Sequence, residues 1–236
     1  MLLCFKVITC SLLNFNEIKK EVKIFSALNL IIMNRKFILN SNLVLRKILN
    51  SKKAQNIISD FIETFLKIQI STLKINKNPD NSKYYGIIDV RVITKENEEL
   101  NVGIQIIDGD YIQSKMLLYY AKIHSNQILY NDGRRLAKTI TINILDIPFF
   151  SSLNFHKIVK LKTNLINDNI LETVEMHILE LPKLKEDEVF ELTKEEAWTA
   201  YLKGEDEELI ERAKDKYEYI RKLDYLLLKY WEEEKI

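Results

Sequence analysis

Residues 86–108 read GIIDVRVITKENEELNVGIQIID, two apolar-alternating runs joined by a polar turn. Side chains alternate faces along a strand, so Ile87, Asp89 and Arg91 share one face of the first run, and Asn101, Gly103 and Gln105 share one face of the second. An odd-length turn centred near Glu96 then sets Asp89 beside Gly103. The chain must therefore build a sheet around an antiparallel hairpin that carries one carboxylate among apolar neighbours.

The remaining elements follow from periodicity. From about Asn42 the pattern VLRKILNSKKAQNIISDFIETFLKI places Leu45, Ile48 and Leu49, then Ile57, Ile58, Phe61, Phe65 and Leu66, at helical spacing, which predicts two amphipathic helices broken near Asn50 and Ser51. NKNPDNSK at 76–83 is a loop with Pro79 as its breaker. A helix is expected from about Tyr111 to Leu129. KTITINILDI at 138–147, HKIVKLKTN at 156–164 and ETVEMHILEL at 172–181 are β-branched and strand-like. After Pro182 the chain turns charged and helical. The order of elements predicts an α/β fold with a mixed central sheet flanked by helices. No internal repeat or low-complexity tract interrupts it.

Composition narrows the function classes. The 236 residues carry 35 Lys and Arg against 34 Asp and Glu, a net charge of +1, so any nucleic-acid surface must be local. Cys4 and Cys10 are the two cysteines, which excludes a disulfide framework or a Cys-based zinc site in the body and fits a reducing cytoplasm. MLLCFKVITCSLLNF at the N-terminus is interrupted by Lys6, is followed by no small-x-small cleavage site, and is too short to span a bilayer. Met33 opens the stretch where amphipathic order begins, so residues 1–32 read as an upstream extension, and translation starts at Met1 or Met33.

Asp89 is the residue to explain, because an unpaired buried carboxylate is costly. It is either a ligand for a hard cation such as magnesium, which prefers one or two carboxylates with water and phosphate, or an ordinary Asp that accepts backbone N–H groups or pairs with Lys or Arg.

Six blocks carry a resemblance: MNRKFILNSNLVLRKILNS, IIDVRVITKENEELNVGIQ, SKMLLYYAKIHSNQ, ITINILDIPFF, FHKIVKLKTN and VEMHILELPKL. In order and spacing they resemble the PD-(D/E)XK nuclease family transposases, related to the Rpn recombination-promoting nucleases, over about residues 33–200. The resemblance implies a restriction-endonuclease-like core, set at 33–183, and magnesium-dependent cleavage of DNA linked to recombination; the charged helical composition after Pro182 sets a separate helical region over 184–236. The family's strand motif is an aspartate followed by E-x-Q on the next strand. Asp89 matches the aspartate, as catalytic residue and metal ligand, and Gln105 matches the glutamine.

Gly103 occupies the glutamate position and supplies neither ligand nor base. Asn42 stands where the family has Asp, and Met116 where it has Arg, with Lys115 just upstream. In the intact mechanism two carboxylates hold magnesium against the scissile phosphate, and the lysine or its glutamine substitute orients the attacking water. Loss of one ligand implies a large loss of rate, and hence a degenerate nuclease or an inactive DNA-binding or protein-interaction module that pairs with an intact paralogue. Replacement carboxylates would have to come from Asp108, which has the wrong strand parity, from Asp110, beyond the strand, or from Glu63 on the second helix.

Further candidates are weaker. Lys115, Tyr119, Tyr120 and Lys122 form an aromatic-basic helix segment that could meet a DNA backbone, although tyrosines at helical spacing are more often core. His124 is a phosphate contact or a structural residue. His156 and His177 lack metal-ligand partners at usable spacing. Arg134 and Arg135 make a small basic turn. Ile210, Ala213, Tyr217, Ile220, Leu223, Leu227 and Tyr230 define one helix stripe that must bury against the nuclease core or a second chain. A homodimer through these helices is the expectation, since symmetry gives a duplex cutter access to both strands.

Overall fold

A computed structural model describes residues 52–76, 87–107, 109–130, 136–160, 174–185 and 190–234. The predicted helix at 42–49, the upstream extension, Asp108 and the Arg134–Arg135 turn lie outside these residues. The elements run α1 (Lys52–Leu66), β1 (Ile70–Ile75), β2 (Ile87–Thr94), β3 (Glu99–Ile107), α2 (Ile112–Tyr130), β4 (Lys138–Leu145), β5 (His156–Lys160), β6 (Val174–Glu180), a 3-10 turn (Leu181–Lys183), α3 (Lys194–Lys203), α4 (Glu207–Lys216) and α5 (Glu218–Glu234). One six-stranded sheet has the order β1-β2-β3-β4-β6-β5. Its β3–β4 and β4–β6 pairs are parallel and the others antiparallel, which makes the mixed sheet that the sequence predicts.

The hairpin forms in the expected register. Asp89 pairs with Gly103, Ile87 with Gln105 and Arg91 with Asn101. Asn97 takes a left-handed backbone in the turn (φ 63°), and Thr94 Oγ1 accepts from Glu98 N at 3.1 Å. Both devices let a short polar connection reverse the chain.

The sheet has two unlike faces. On one, Val90, Val92, Val102, Ile104, Ile140, Ile142 and Leu179 pack against α1, α3, α4 and α5 in one continuous core. On the other lies α2. There Ile112 and Met116 meet Met176 and Ile178 near one end, while the middle of the face is polar and buried: Asp89, Asn101, Gln105, Thr139, Thr141 and Asn143. Buried polar residues need partners, and these six find them in one another, in α2 and in Asn76 just past β1.

Local sequence explains the C-terminal helices. Thr193 caps α3 in a capping box with Glu196, Gly204 ends it in the left-handed conformation (φ 70°), and Asp206 caps α4 by accepting from Leu209 N at 3.0 Å. The stripe Ile210, Ala213, Ile220, Leu223 and Leu227 is buried in the same core as α1, with Tyr217 and Tyr230 packed beside it. Of the two partners open to this stripe, the chain's own core covers it. The surface on which the homodimer expectation rested is thereby used within the chain.

Strand β1 has no counterpart in the sequence reading. Its residues ISTLKI are half exposed at the sheet edge, so no clean alternation marks them.

Candidate active site

Asp89 is 5% exposed and points from β2 toward α2. Asn76, just past β1, donates from Nδ2 to Asp89 Oδ1 at 3.0 Å and to Asn101 Oδ1 at 3.3 Å, and its backbone N–H donates to Asp89 O at 2.8 Å. Asn126 of α2 adds a second side-chain hydrogen bond, and the Lys122 ammonium, one helical turn earlier, adds its positive charge. Burial nevertheless dominates and pushes the Asp89 carboxyl up from 3.8 to about 6, against the pull of Asn76, Asn126 and Lys122. The bland alternative for Asp89 is met in part: its partners are amides and a lysine on neighbouring elements.

Across the ladder, Gly103 lies directly beneath α2. A Cβ at this position would sit 1.8 Å from Ile123 Cδ1 and 2.9 Å from Tyr119 Oη. Tyr119 is held there, because its hydroxyl lies 3.3 Å from Ile88 O and 3.2 Å from Ile104 O. Close approach of helix to strand therefore depends on a residue with no side chain. The space in which a glutamate at 103 would extend is filled by Tyr119 and Ile123. Gln105 is buried next along the same face, and its Nε2 donates to Asn143 Oδ1 at 2.6 Å. Asn143 in turn donates to Thr141 Oγ1 at 3.1 Å and to His177 O at 3.2 Å, so Gln105 is fastened across the sheet.

Among the described residues, neither alternative carboxylate converges on Asp89. Glu63 belongs to the helix on the opposite face, where its Oε1 accepts from Ile70 N at 2.7 Å. Asp110 is exposed beyond the end of β3. The aromatic-basic residues separate: Tyr119 is core, Tyr120 is half-buried and stacks on His124 with centroids 5.8 Å apart, Lys115 is exposed, and Lys122 faces Asp89. His124 Nδ1 lies 2.9 Å from Thr139 Oγ1, which gives it a structural role. Met116 is buried core. Asn76 and Asn126 were not legible as site residues, since nothing in their spacing singles out an asparagine in a loop or on a helix.

A family model described as PD-(D/E)XK nuclease family transposase matches residues 41–235. The chain belongs to this family. The mixed six-stranded sheet with helices on both faces agrees with the restriction-endonuclease-like fold expected of it. No curated protein and no solved structure matches the chain. Membership of this family suggests nuclease function, and PD-(D/E)XK nucleases generally act with divalent metal. The donor set around Asp89 does not fit one. The described residues supply a single carboxylate, amide N–H groups that donate to it, and an ammonium, whereas magnesium needs several oxygen lone pairs. Among the described residues no three His, Cys, Asp or Glu side chains stand close enough to share an ion. No helix among them is long and apolar enough to cross a membrane.

Proposed function

We propose that this chain is a DNA-binding member of the nuclease family whose phosphodiester cleavage is weak or lost. One observation carries the reading: the position paired with Asp89 is Gly103, and Tyr119 and Ile123 close over it. The family supplies DNA as the substrate class, magnesium as the ancestral cofactor and recombination as the setting. Metal assistance contributes several kcal/mol of transition-state stabilisation, so a site reduced to one carboxylate loses orders of magnitude in rate.

The test is nicking of supercoiled plasmid with magnesium or manganese, beside gel-shift binding of the same DNA. Wild type is expected to retain DNA at low salt without metal-dependent nicking. Nicking by wild type that Asp89→Ala abolishes would refute the reading. Gly103→Glu alone is a poor rescue because of the closed space, so the informative variant is Gly103→Glu with Ile123→Ala.

A second reading, an inactive module that binds an intact paralogue in the cytoplasm, is favoured by the outer face of α2. Leu117, Leu118 and Ile128 are 57%, 61% and 69% exposed there. Co-expression with a paralogue followed by native mass spectrometry separates it from the first: a heterodimer without DNA retention supports the second alone.

A further inference from the structure

Helix α2 carries two seams. Ile112, Met116, Tyr119, Ile123 and Gln127, at most 9% exposed, form the one that lies on the sheet. On the opposite side Ser114, Leu118, Ala121, Ser125 and Ile128 recur at spacings of four, three, four and three, and all five are exposed. This is the spacing a helix presents to a partner helix, yet among the described residues no element covers it. Leu117 flanks the seam and, like Leu118 and Ile128, is more than half exposed. We propose that a second copy of this chain docks there, its α2 antiparallel to the first across a two-fold axis at Ala121.

Self-complementarity carries the proposal. A two-fold axis at Ala121 pairs each seam residue with the one equally far along on the other side. Ser114 then meets Ile128, Leu118 meets Ser125, and Ala121 meets its own copy. Every large side chain faces a small one, so the two helices can interdigitate without voids, and the three small residues let the backbones come close. Parallel pairing does the opposite. Serine then faces serine, leucine faces leucine and isoleucine faces isoleucine, which leaves gaps between crowded layers.

Charge permits the antiparallel pair. Neither the five seam residues nor Leu117 carries an ionisable group. Lys122 turns away from the seam, with its Nζ buried and its charge acting on Asp89. Lys115 is exposed on the flank, six residues before Ala121. Its two copies therefore stand about 18 Å apart along the helices, where salt screens their repulsion. The area sets the strength. A strip one helix wide along the 19 residues of α2 falls short of the standard interface of about 800 Å² per partner. The dimer is therefore weak, with dissociation in the micromolar range. The proposal gives the face named in the second reading a different occupant, and the pure chain alone tests it.

Sedimentation of the intact chain should show wild type passing from monomer to dimer between about 1 and about 200 μM. Ala121→Glu sets two like charges together on the axis. It should weaken association at least about tenfold with an unchanged circular dichroism spectrum, and an equal mixture with Ala121→Lys should restore it. Cross-linking reads the direction. In full chains that carry Cys4→Ser and Cys10→Ser, mild oxidation should join Ala121→Cys to itself and, in a mixture, Leu118→Cys to Ser125→Cys. Leu118→Cys alone should not self-join. A wild type that stays monomeric at about 200 μM would overturn the proposal, even if it then pairs with a paralogue. Dimers indifferent to Ala121→Glu would overturn it equally. So would self-joining of Leu118→Cys as fast as the mixture, which marks a parallel pair or random collision.

Discussion

Asp89→Asn should stabilise the protein at alkaline pH, although it removes the one carboxylate of the candidate site. The folded state raises the Asp89 carboxyl from 3.8 to about 6, chiefly through burial. At about 1.4 kcal/mol for each tenfold change in proton affinity, that gap is worth about 3 kcal/mol. The sign follows from linkage. A folded value above the unfolded one means that the folded chain prefers the protonated form, so stability is highest below 3.8 and is lost as pH rises through about 6. Asparagine has nearly the shape of the protonated acid, can still accept from Asn76, and carries no charge. The variant should therefore exceed wild type by about 3 kcal/mol at about pH 8, with the gain shrinking as pH falls toward 4. Urea unfolding of both proteins at several pH values measures it, and the difference cancels titrations common to the two. Wild type more stable than the variant at about pH 8, or an equal difference at acid and alkaline pH, would refute the reasoning. Either result would mean that Lys122 and the asparagines satisfy the ionised form fully.

Three further outcomes are expected. Gly103→Ala should destabilise by about 1–3 kcal/mol through overpacking against Ile123 and Tyr119, and Ile123→Val should relieve part of that loss, which a double-mutant cycle in urea would show. Trp198→Phe should cost about 1.5–3 kcal/mol, because its indole N–H donates to buried Asp60 Oδ2 at 3.0 Å; an unchanged unfolding midpoint would contradict that role. Gly204→Ala should cost about 1 kcal/mol despite open space around it, since the residue ends α3 at φ 70°, and Thr193→Ala should cost about as much at the other end of the same helix. Thermal melts would register both.

The hairpin was legible because its information is local: two period-two runs and an odd turn fix which residues face each other. Asp89 opposite Gly103 follows from that parity alone. What lies above the pair was not legible, because the descent of Tyr119 and Ile123 onto Gly103 depends on how far α2 can approach, which no spacing encodes. The histidines show the same limit. His156 and His177 each sit in a plain strand pattern, and only the antiparallel register of β5 on β6, with Ile158 opposite His177, brings their rings together. Strand β1 escaped notice because an edge strand with exposed Ser71 and Thr72 gives no alternation to read. The C-terminal stripe was legible as a buried face, while its partner was not, since a helix face has the same pattern whether it meets its own chain or another.

The core that joins α1 to α5 sets an order of events in synthesis. Phe61 and Phe65, near the start of the described chain, share their core with Ile220 and Leu227, near its end. A nascent chain that has emerged only as far as β6 has its strands available but not the helices that cover their apolar face. Such long-range closure makes folding slow and leaves apolar sheet surface open during translation. Ribosome-bound intermediates that lack α4 and α5 are therefore the species of this protein most exposed to aggregation and most in need of a chaperone.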